Sequence, residues 1–319
     1  VCLTHDVDNI TRPFSHVWKI RKRFGTFDLV RAAFGASLYD NTMLIASAEE
    51  GRGFRSSFYF MSSEYQLERV RHVSDLVRKD GWDIGLHGDF GTHDSSEKMD
   101  AAIEKFTAGL GFRPTGLREH YLRFDFAKSW SVMEAAGFDY DSTVGNADKL
   151  GFRVGLAAPF HPPGDDWNPL NILELPLTLM DTTLWGYLKR TEEEGMKDSL
   201  AMMQAVEDVE GLFTLLWHQE SVRMVGGRIY WKIIDSVKKK GCFVGSGAEV
   251  AKWWRGRSVP LVKKGNLITL GGRPPDGLVL HVETGDGRTP HVTSGSVEKT
   301  GAQRYAVVVG GPDFAMEVN

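Results

Sequence analysis

Cysteine is scarce. Cys2 and Cys242 are the only two in 319 residues. They are too few to staple a fold and nothing requires them to pair, so a reducing compartment fits. No apolar run approaches the roughly 20 residues that cross a bilayer, so no membrane span is expected. No basic block calls for nucleic acid as a partner, and there is no polyacidic tail; the net charge of −4 is spread with both signs mixed. Residues 257–319 contain no 20-to-50-residue repeat and no low-complexity tract. No phosphate-cradling or dinucleotide glycine fingerprint sits where a strand feeds a helix; Gly271-Gly272 and Gly310-Gly311 read as turns. No basic segment and cleavage site precede a long apolar stretch, so residues 1–4 read as a core strand and a cytoplasmic location is expected. The chain starts inside that strand, which leaves a lost leader open.

What is present is an alternation of strand-like and helix-like segments. Residues 1–4 form the first strand, followed by an insertion with helical patterns at 14–24 and 43–50. Strands are then expected at 56–61, 83–86, 115–118, 138–140, 171–175, 212–217 and 242–244, with helices at 64–79, 95–110, 126–136, 192–210, 228–240 and 248–254. About seven or eight β–α units of this kind predict a distorted, parallel α/β barrel whose chemistry sits at the carboxyl ends of the strands. Beyond residue 256 the texture changes to short β-like runs at 261–270, 277–282 and 305–310, separated by Lys-Gly-Asn, Pro-Pro-Asp-Gly and Gly-Asp-Gly turns. The expected organisation is a barrel over 1–256 and a small all-β appendage over 257–319.

Five segments fall at strand ends: Thr4-His5-Asp6-Val7-Asp8, His87-Gly88-Asp89-Phe90-Gly91-Thr92-His93, Arg118-Glu119-His120-Tyr121, Phe138-Asp139-Tyr140-Asp141 and Leu215-Leu216-Trp217-His218. Alternation along an extended segment puts Asp6 and Asp8 on one face with Val7 in the wall. Two adjacent carboxylates repel, and both ionise comfortably when a cation lies beside them. An isolated Asp-x-Asp also fits a pair of loop-capping aspartates. Acids and imidazoles brought together from successive strand ends suit a mononuclear metal hydrolase. Some of them bind the metal, a second carboxylate activates water, and a separate histidine protonates the leaving group. His218, closing an apolar strand, can stay protonated near neutral pH if a carboxylate lies beside it.

The order of these motifs resembles that of the NodB-homology polysaccharide deacetylases, carbohydrate esterase family 4. The family writes its first motif Thr-Phe-Asp-Asp-Gly, whereas one residue separates the acids here. The resemblance implies Asp6 as base and Asp8 as metal ligand, with His87 as a second ligand. The family's next histidine falls on Gly91, so His93 and His120 are alternative third ligands; a solvated helix-entry His93 and a core His120 are the plain structural readings. Arg118-Glu119-His120-Tyr121 matches Arg-x-Pro-Tyr with histidine for proline, which implies that Arg118 orients Asp6 and that the Tyr121 backbone amide helps form an oxyanion hole. His218 matches Leu-x-x-His and would be the general acid. Asp141 resembles a Tyr-Asp-Ser element and is expected to orient substrate or the catalytic histidine. Glu174 and Asp181 resemble the next strand region without an assigned role.

The resemblance further implies one divalent cofactor, zinc by preference, and an acetylated amino sugar or glycan as substrate. The variant motifs are similar to those of enzymes of surface-polysaccharide or O-antigen assembly. Two other classes stay open: a catalytically weak carbohydrate-binding protein on the same fold, and a metal-dependent amidase acting on a small non-sugar C–N bond. Trp82 and Trp185 have faces that could pack on sugar rings, core or rim packing being the simpler reading.

Overall fold

The computed structural model describes residues 1–165, 167–257, 261–271, 274, 278–285, 287–311 and 313–318. The chain divides into two compact units, Val1–Ala251 and Lys252–Asn319.

The first unit is built on eight parallel strands. In chain order they are β1 (Cys2–Val7), β2 (Ser57–Met61), β3 (Asp83–Gly88), β4 (Gly116–Glu119), β5 (Tyr140–Asp141), β6 (Leu173–Glu174), β7 (Leu179–Met180) and β8 (Thr214–Leu216). Their lateral order is β6-β5-β4-β3-β2-β1-β8-β7, and every pairing is parallel. The sheet curls into an incomplete barrel, open between β6 and β7. Strands covered on both faces read as continuous apolar runs, and β1 and β2 are buried along their whole length. Helices α3 (Thr42–Glu50), α4 (Arg71–Lys79), α5 (Ser96–Leu110), α6 (Ser129–Ala135), α7 (Glu192–Asp208) and α8 (Ile229–Lys240) alternate with these strands, and α9 (Gly247–Arg257) follows. One continuous core runs beneath them, from Leu3 and Phe58 through Phe106 to Trp217 and Ile233. Local signals fix the ends: Ser95 caps α5, Gly111 ends it in a left-handed conformation (φ +84°), and Thr191 and Glu194 form a reciprocal capping box on α7.

Several expected elements differ. The helix anticipated at 14–24 stops at Lys19 (α1, Phe14–Lys19), and Arg21–Arg23 form a 3-10 turn. Phe24 bridges to Met224 and Arg23 accepts a hydrogen bond from the Val225 amide, so tertiary pinning interrupts the helix. A further helix, α2 (Thr26–Ala33), was not expected. Residues 242–244 form no strand; the Phe243 carbonyl accepts a hydrogen bond from the Val1 amino group at 2.7 Å, and the adjoining Gly245 makes an isolated bridge to Cys2. Strand β7 escaped notice because two residues carry no readable period.

The second unit holds two small antiparallel sheets. Strands β9 (Leu261–Lys264), β10 (Leu267–Leu270), β12 (His291–Val292) and β15 (Ala315–Glu317) form one, and β11 (Val279–Glu283), β13 (Gly295–Lys299) and β14 (Arg304–Val309) the other. Val307, Val309, Phe314 and Met316 form its core. The Lys-Gly-Asn turn joins β9 to β10 with Gly265 at φ +62°. The turn expected at 274–277 lies, except for Pro274, outside the described residues, as do Gly272 and Asp286. Among the described residues no helix is long and apolar enough to cross a membrane.

Candidate active site

All eight strands run one way, so their carboxyl ends share a rim. Asp6 and Asp8 leave β1, His87 lies near the end of β3, Arg118 lies on β4 with His120 just after it, and His218 follows β8. Register brings His87 opposite Arg118 and Thr4 opposite Leu216. These ends enclose a cavity of about 520 Å3 lined by Asp6, Asp8, His87, His120, Tyr121 and His218, with Trp185, Tyr187 and Glu220 among its other walls.

Arg118 is fully buried, and its guanidinium is held in place by four hydrogen bonds. Nε donates to the Ser142 carbonyl at 2.9 Å, Nη2 to Ser142 Oγ at 2.8 Å, and Nη1 to Thr4 Oγ1 at 2.7 Å and to Asp6 Oδ1 at 3.1 Å. Burial is the largest single influence and works against its charge, but Asp6, together with Tyr59 and Cys2, outweighs it and raises the guanidinium above its ordinary value. Asp6 therefore has one oxygen fixed by Arg118, and its other oxygen lies 3.6 Å from His87 Nε2.

Asp8, His87 and His120 each bring one ligand atom to within 4.8 Å of the others. His87 Nδ1 donates to the Arg118 carbonyl at 2.8 Å, which aims Nε2 at the acids. Nε2 lies 3.2 Å from Asp8 Oδ1, yet both atoms are buried and neither has a hydrogen-bond partner among the described residues. Asp8 Oδ2 is 3.8 Å from His120 Nε2 and 3.9 Å from His218 Nε2. Burial alone would raise the Asp8 carboxyl, but the surrounding imidazoles hold it below the usual carboxylate range. Burial also opposes a proton on His87, and Asp6 and Asp8 overcome it, so His87 titrates above the ordinary histidine value. His120 is pushed down to about 4 by burial and by His87, which leaves it neutral with a lone pair at pH 7. Two imidazoles and a carboxylate around orphaned buried atoms are a fitting donor set for a divalent ion such as zinc.

His120 stacks on Tyr121 with ring centroids 3.9 Å apart. Tyr121 and Leu122 are both in the left-handed region, at φ 59° and 52°, a cost that non-glycine residues carry where the surroundings enforce it, commonly at functional sites. This turn places Tyr121 at the cavity wall with its side chain exposed.

His93 does not join the group. Gly91 turns the chain at φ +87° into a 3-10 turn (Thr92–Asp94), pinned where Thr92 Oγ1 donates to Glu119 at 2.6 Å. His93 Nε2 faces Asp94 at 3.9 Å, outside the cavity lining. Of the two alternatives, His120 lies beside Asp8 and His87 and lines the cavity, and His93 does not. Asp141, expected to orient substrate or the catalytic histidine, is fully buried, accepts from Thr143 Oγ1 at 2.6 Å beside Glu174, and is not among the cavity-lining residues. Asp139 is likewise not among the lining residues.

The sequence reading missed the role of Asp181. Its Oδ1 accepts from His218 Nδ1 at 2.7 Å and its Oδ2 from the His218 amide at 3.0 Å, and it is wholly buried. Burial disfavours an imidazolium at His218, but Asp181 foremost, together with Asp8 and Asp6, overcomes this and raises the histidine well above its ordinary value. The available signal was the need for a carboxylate beside His218; only strand pairing says which acid supplies it. Glu220 was also passed over. Burial, reinforced by Asp8, pushes its carboxyl up to about 8, and its Oε2 has no hydrogen-bond partner among the described residues. Trp185 lines the cavity, whereas Trp82 is buried and donates to Glu49 at 3.2 Å. Behind the site, fully buried His5 bonds the Trp217 carbonyl at 2.8 Å and Glu49 Oε1 at 2.9 Å, tying β1 to the segment that presents His218.

A parallel, incomplete barrel with carboxylates and imidazoles gathered in one cavity at the strand mouth defines an α/β protein with a candidate site at its carboxyl rim. Comparison with solved structures gives the fold a name: it is the polysaccharide deacetylase fold. A Mycobacterium smegmatis protein provisionally described as a polysaccharide deacetylase superposes with a TM-score of 0.57 at 18% identity, covering 80% of this chain and 89% of that one. The Puue allantoinase superposes with a TM-score of 0.53 at 17% identity, covering 81% and 90%. No protein-family model matches the sequence, and a search of curated proteins gives no match.

Proposed function

We propose that this chain is a metal-dependent amide hydrolase that removes the N-acetyl group from an amino sugar during assembly of a surface polysaccharide such as O-antigen. The observation carrying this reading is the convergence on one cavity of three units: the Arg118-held Asp6, the Asp8–His87–His120 group and the Asp181-held His218. Asp8, His87 and His120 would hold a divalent ion, zinc by preference, which when bound supplies Lewis-acid polarisation of the acetyl carbonyl and a more acidic water.

The chain's own groups do the rest. Asp6, with one oxygen fixed by Arg118, keeps its other oxygen available to take a proton from the attacking water. The Tyr121 amide contributes a donor to the developing oxyanion. His218, kept protonated by Asp181, gives its proton to the departing amine. Trp185 and Tyr187 offer aromatic faces to the sugar.

The barrel's likeness to an allantoinase favours a second reading, hydrolysis of a small non-sugar C–N bond. Incubating the metal-loaded chain with acetylated amino sugars and with cyclic and linear amides separates the two. Acetate release from the sugars, lost in Asp6→Asn by about 100-fold or more, supports the deacetylase. Ring-opened or deamidated products without acetate support the amidase. Glycan binding with neither product would leave a binding protein.

A further inference from the structure

The insertion between β1 and α3 differs in charge from the rest of the chain. Residues 11–36 hold six cations, Arg12, Lys19, Arg21, Lys22, Arg23 and Arg31, and a single acid, Asp28, in a chain of net charge −4. That acid is engaged, with Arg223 Nη1 3.3 Å away. Among the cations, Arg12 faces Glu64 at 4.0 Å.

The two helices of the insertion bury one face and leave the other bare. Val17, Phe24 and Ala32 pack with Leu38, Tyr39 and Met224. On the other side Phe14 is 41% exposed, Trp18 53%, Phe27 74%, Val30 50% and Phe34 89%. Large side chains this exposed and this close in sequence are unusual on a surface that faces only water. Cations are interleaved with them: the Arg21 guanidinium lies 5.0 Å from the Trp18 ring centre and that of Arg31 lies 5.9 Å from the Phe27 ring centre.

Aromatic side chains mixed with cations are what an anionic bilayer surface takes: rings enter the boundary of headgroup and acyl chain, and cations pair with phosphates. A protein partner fits less well, because the centre of a protein interface is depleted of charge, lysine above all. The location is also informative. Lys22 and Arg23, on the 3-10 turn between α1 and α2, line the cavity that contains Asp6 and Asp8. The turn that joins the two helices thus forms part of the cavity wall.

We propose that the α1–α2 insertion is an interfacial element that docks this protein on an anionic lipid surface, with the mouth of the strand-end cavity beside the headgroups. Docking requires no spanning segment and does not depend on the deacetylase reading, because partition is measured without turnover.

The test is co-sedimentation of the full chain with vesicles of phosphatidylcholine, and of phosphatidylcholine mixed equally with phosphatidylglycerol. The expected result is partition onto the mixed vesicles, little onto phosphatidylcholine alone, and weakening by salt. Phe27→Ser with Phe34→Ser should lower partition about tenfold or more, and Lys19→Gln with Arg21→Gln about thirtyfold. None of these four residues lines the cavity, so turnover of a soluble substrate should be unchanged in both variants. Circular dichroism melting confirms that each variant is folded, and either pair alone suffices for the test. Absence of partition onto the anionic vesicles, or partition that neither pair of substitutions reduces, overturns the proposal. So does a dimer in sedimentation equilibrium that Phe27→Ser/Phe34→Ser dissolves, since the occupant of the face would then be a second copy of the chain.

Discussion

Asp181→Asn is the sharpest test of how the site works. The substitution keeps the shape of the side chain and the hydrogen bond from the His218 amide, and removes the negative charge 2.7 Å from His218 Nδ1. Opposite charges in contact at a partly buried site attract by about 4 kcal/mol at an effective dielectric near 20. Burial is the largest single influence and opposes the imidazolium; Asp181 is the foremost of the carboxylates, with Asp8 and Asp6, that together overcome it. The sign follows. In the parent protein His218 is protonated up to its raised folded value, and activity needing that proton is present below this value and falls above it. In the variant burial acts unopposed by Asp181, so the alkaline limb of kcat against pH moves toward acid. At alkaline pH kcat should fall on the order of 100- to 1,000-fold, the share a general acid contributes, and lowering the pH should recover part of it. The same linkage stabilises the fold: the pair's contribution is fully present below the unfolded-state value near 6.5 and is lost as pH rises through the folded one. The gap in Tm between parent and variant should therefore narrow at alkaline pH. Parent-like kcat in the variant, or a uniform loss at all pH values with the limb unmoved, would refute the general-acid assignment and leave Asp181 as packing.

His120→Ala should weaken zinc retention at least about tenfold, read by elemental analysis after dialysis, while His93→Ala should retain zinc like the parent; the reverse result would return the third ligand to His93. Glu220→Gln should change kcat little at pH 7, where the parent carboxyl, pushed up to about 8, is already largely protonated; a pH–rate profile that diverges from the parent only above that value is the expected signature. Gly116→Ala should destabilise by about 1–3 kcal/mol, because a Cβ there would lie 2.2 Å from the ring and hydroxyl of buried Tyr140. Denaturant melts measure this, and an unchanged midpoint would show that the barrel floor can yield.

Much of the barrel was legible because its strands are long enough or apolar enough to announce themselves. Residues 56–61 and 212–217 are nearly unbroken apolar runs, and α5 and α7 carry their own caps. The site was legible for a related reason. Asp6, Asp8, His87, Arg118 and His218 interrupt or end apolar runs where burial of a charge needs a partner, and such interruptions are visible without coordinates. Strand β7, two residues long, has no period to read, whereas β6 lies inside the strand expected at 171–175.

What the sequence by itself determined is therefore the class of fold and most of the polar residues that gather at the candidate cavity, since both follow from local pattern: apolar runs, caps, and polar residues placed at strand ends. Tertiary structure alone decided the partnerships. Asp181 serves His218 because β7 pairs with β8, a neighbour relation that chain order does not contain. Asp141 turns inward because the pleat of β5 directs it toward Thr143 and Glu174. His120, and not His93, reaches Asp8, since a left-handed turn at Gly91 and another at Tyr121 aim the two histidines differently. Each of these is a matter of direction between elements distant in sequence, and direction is set only when the elements pack.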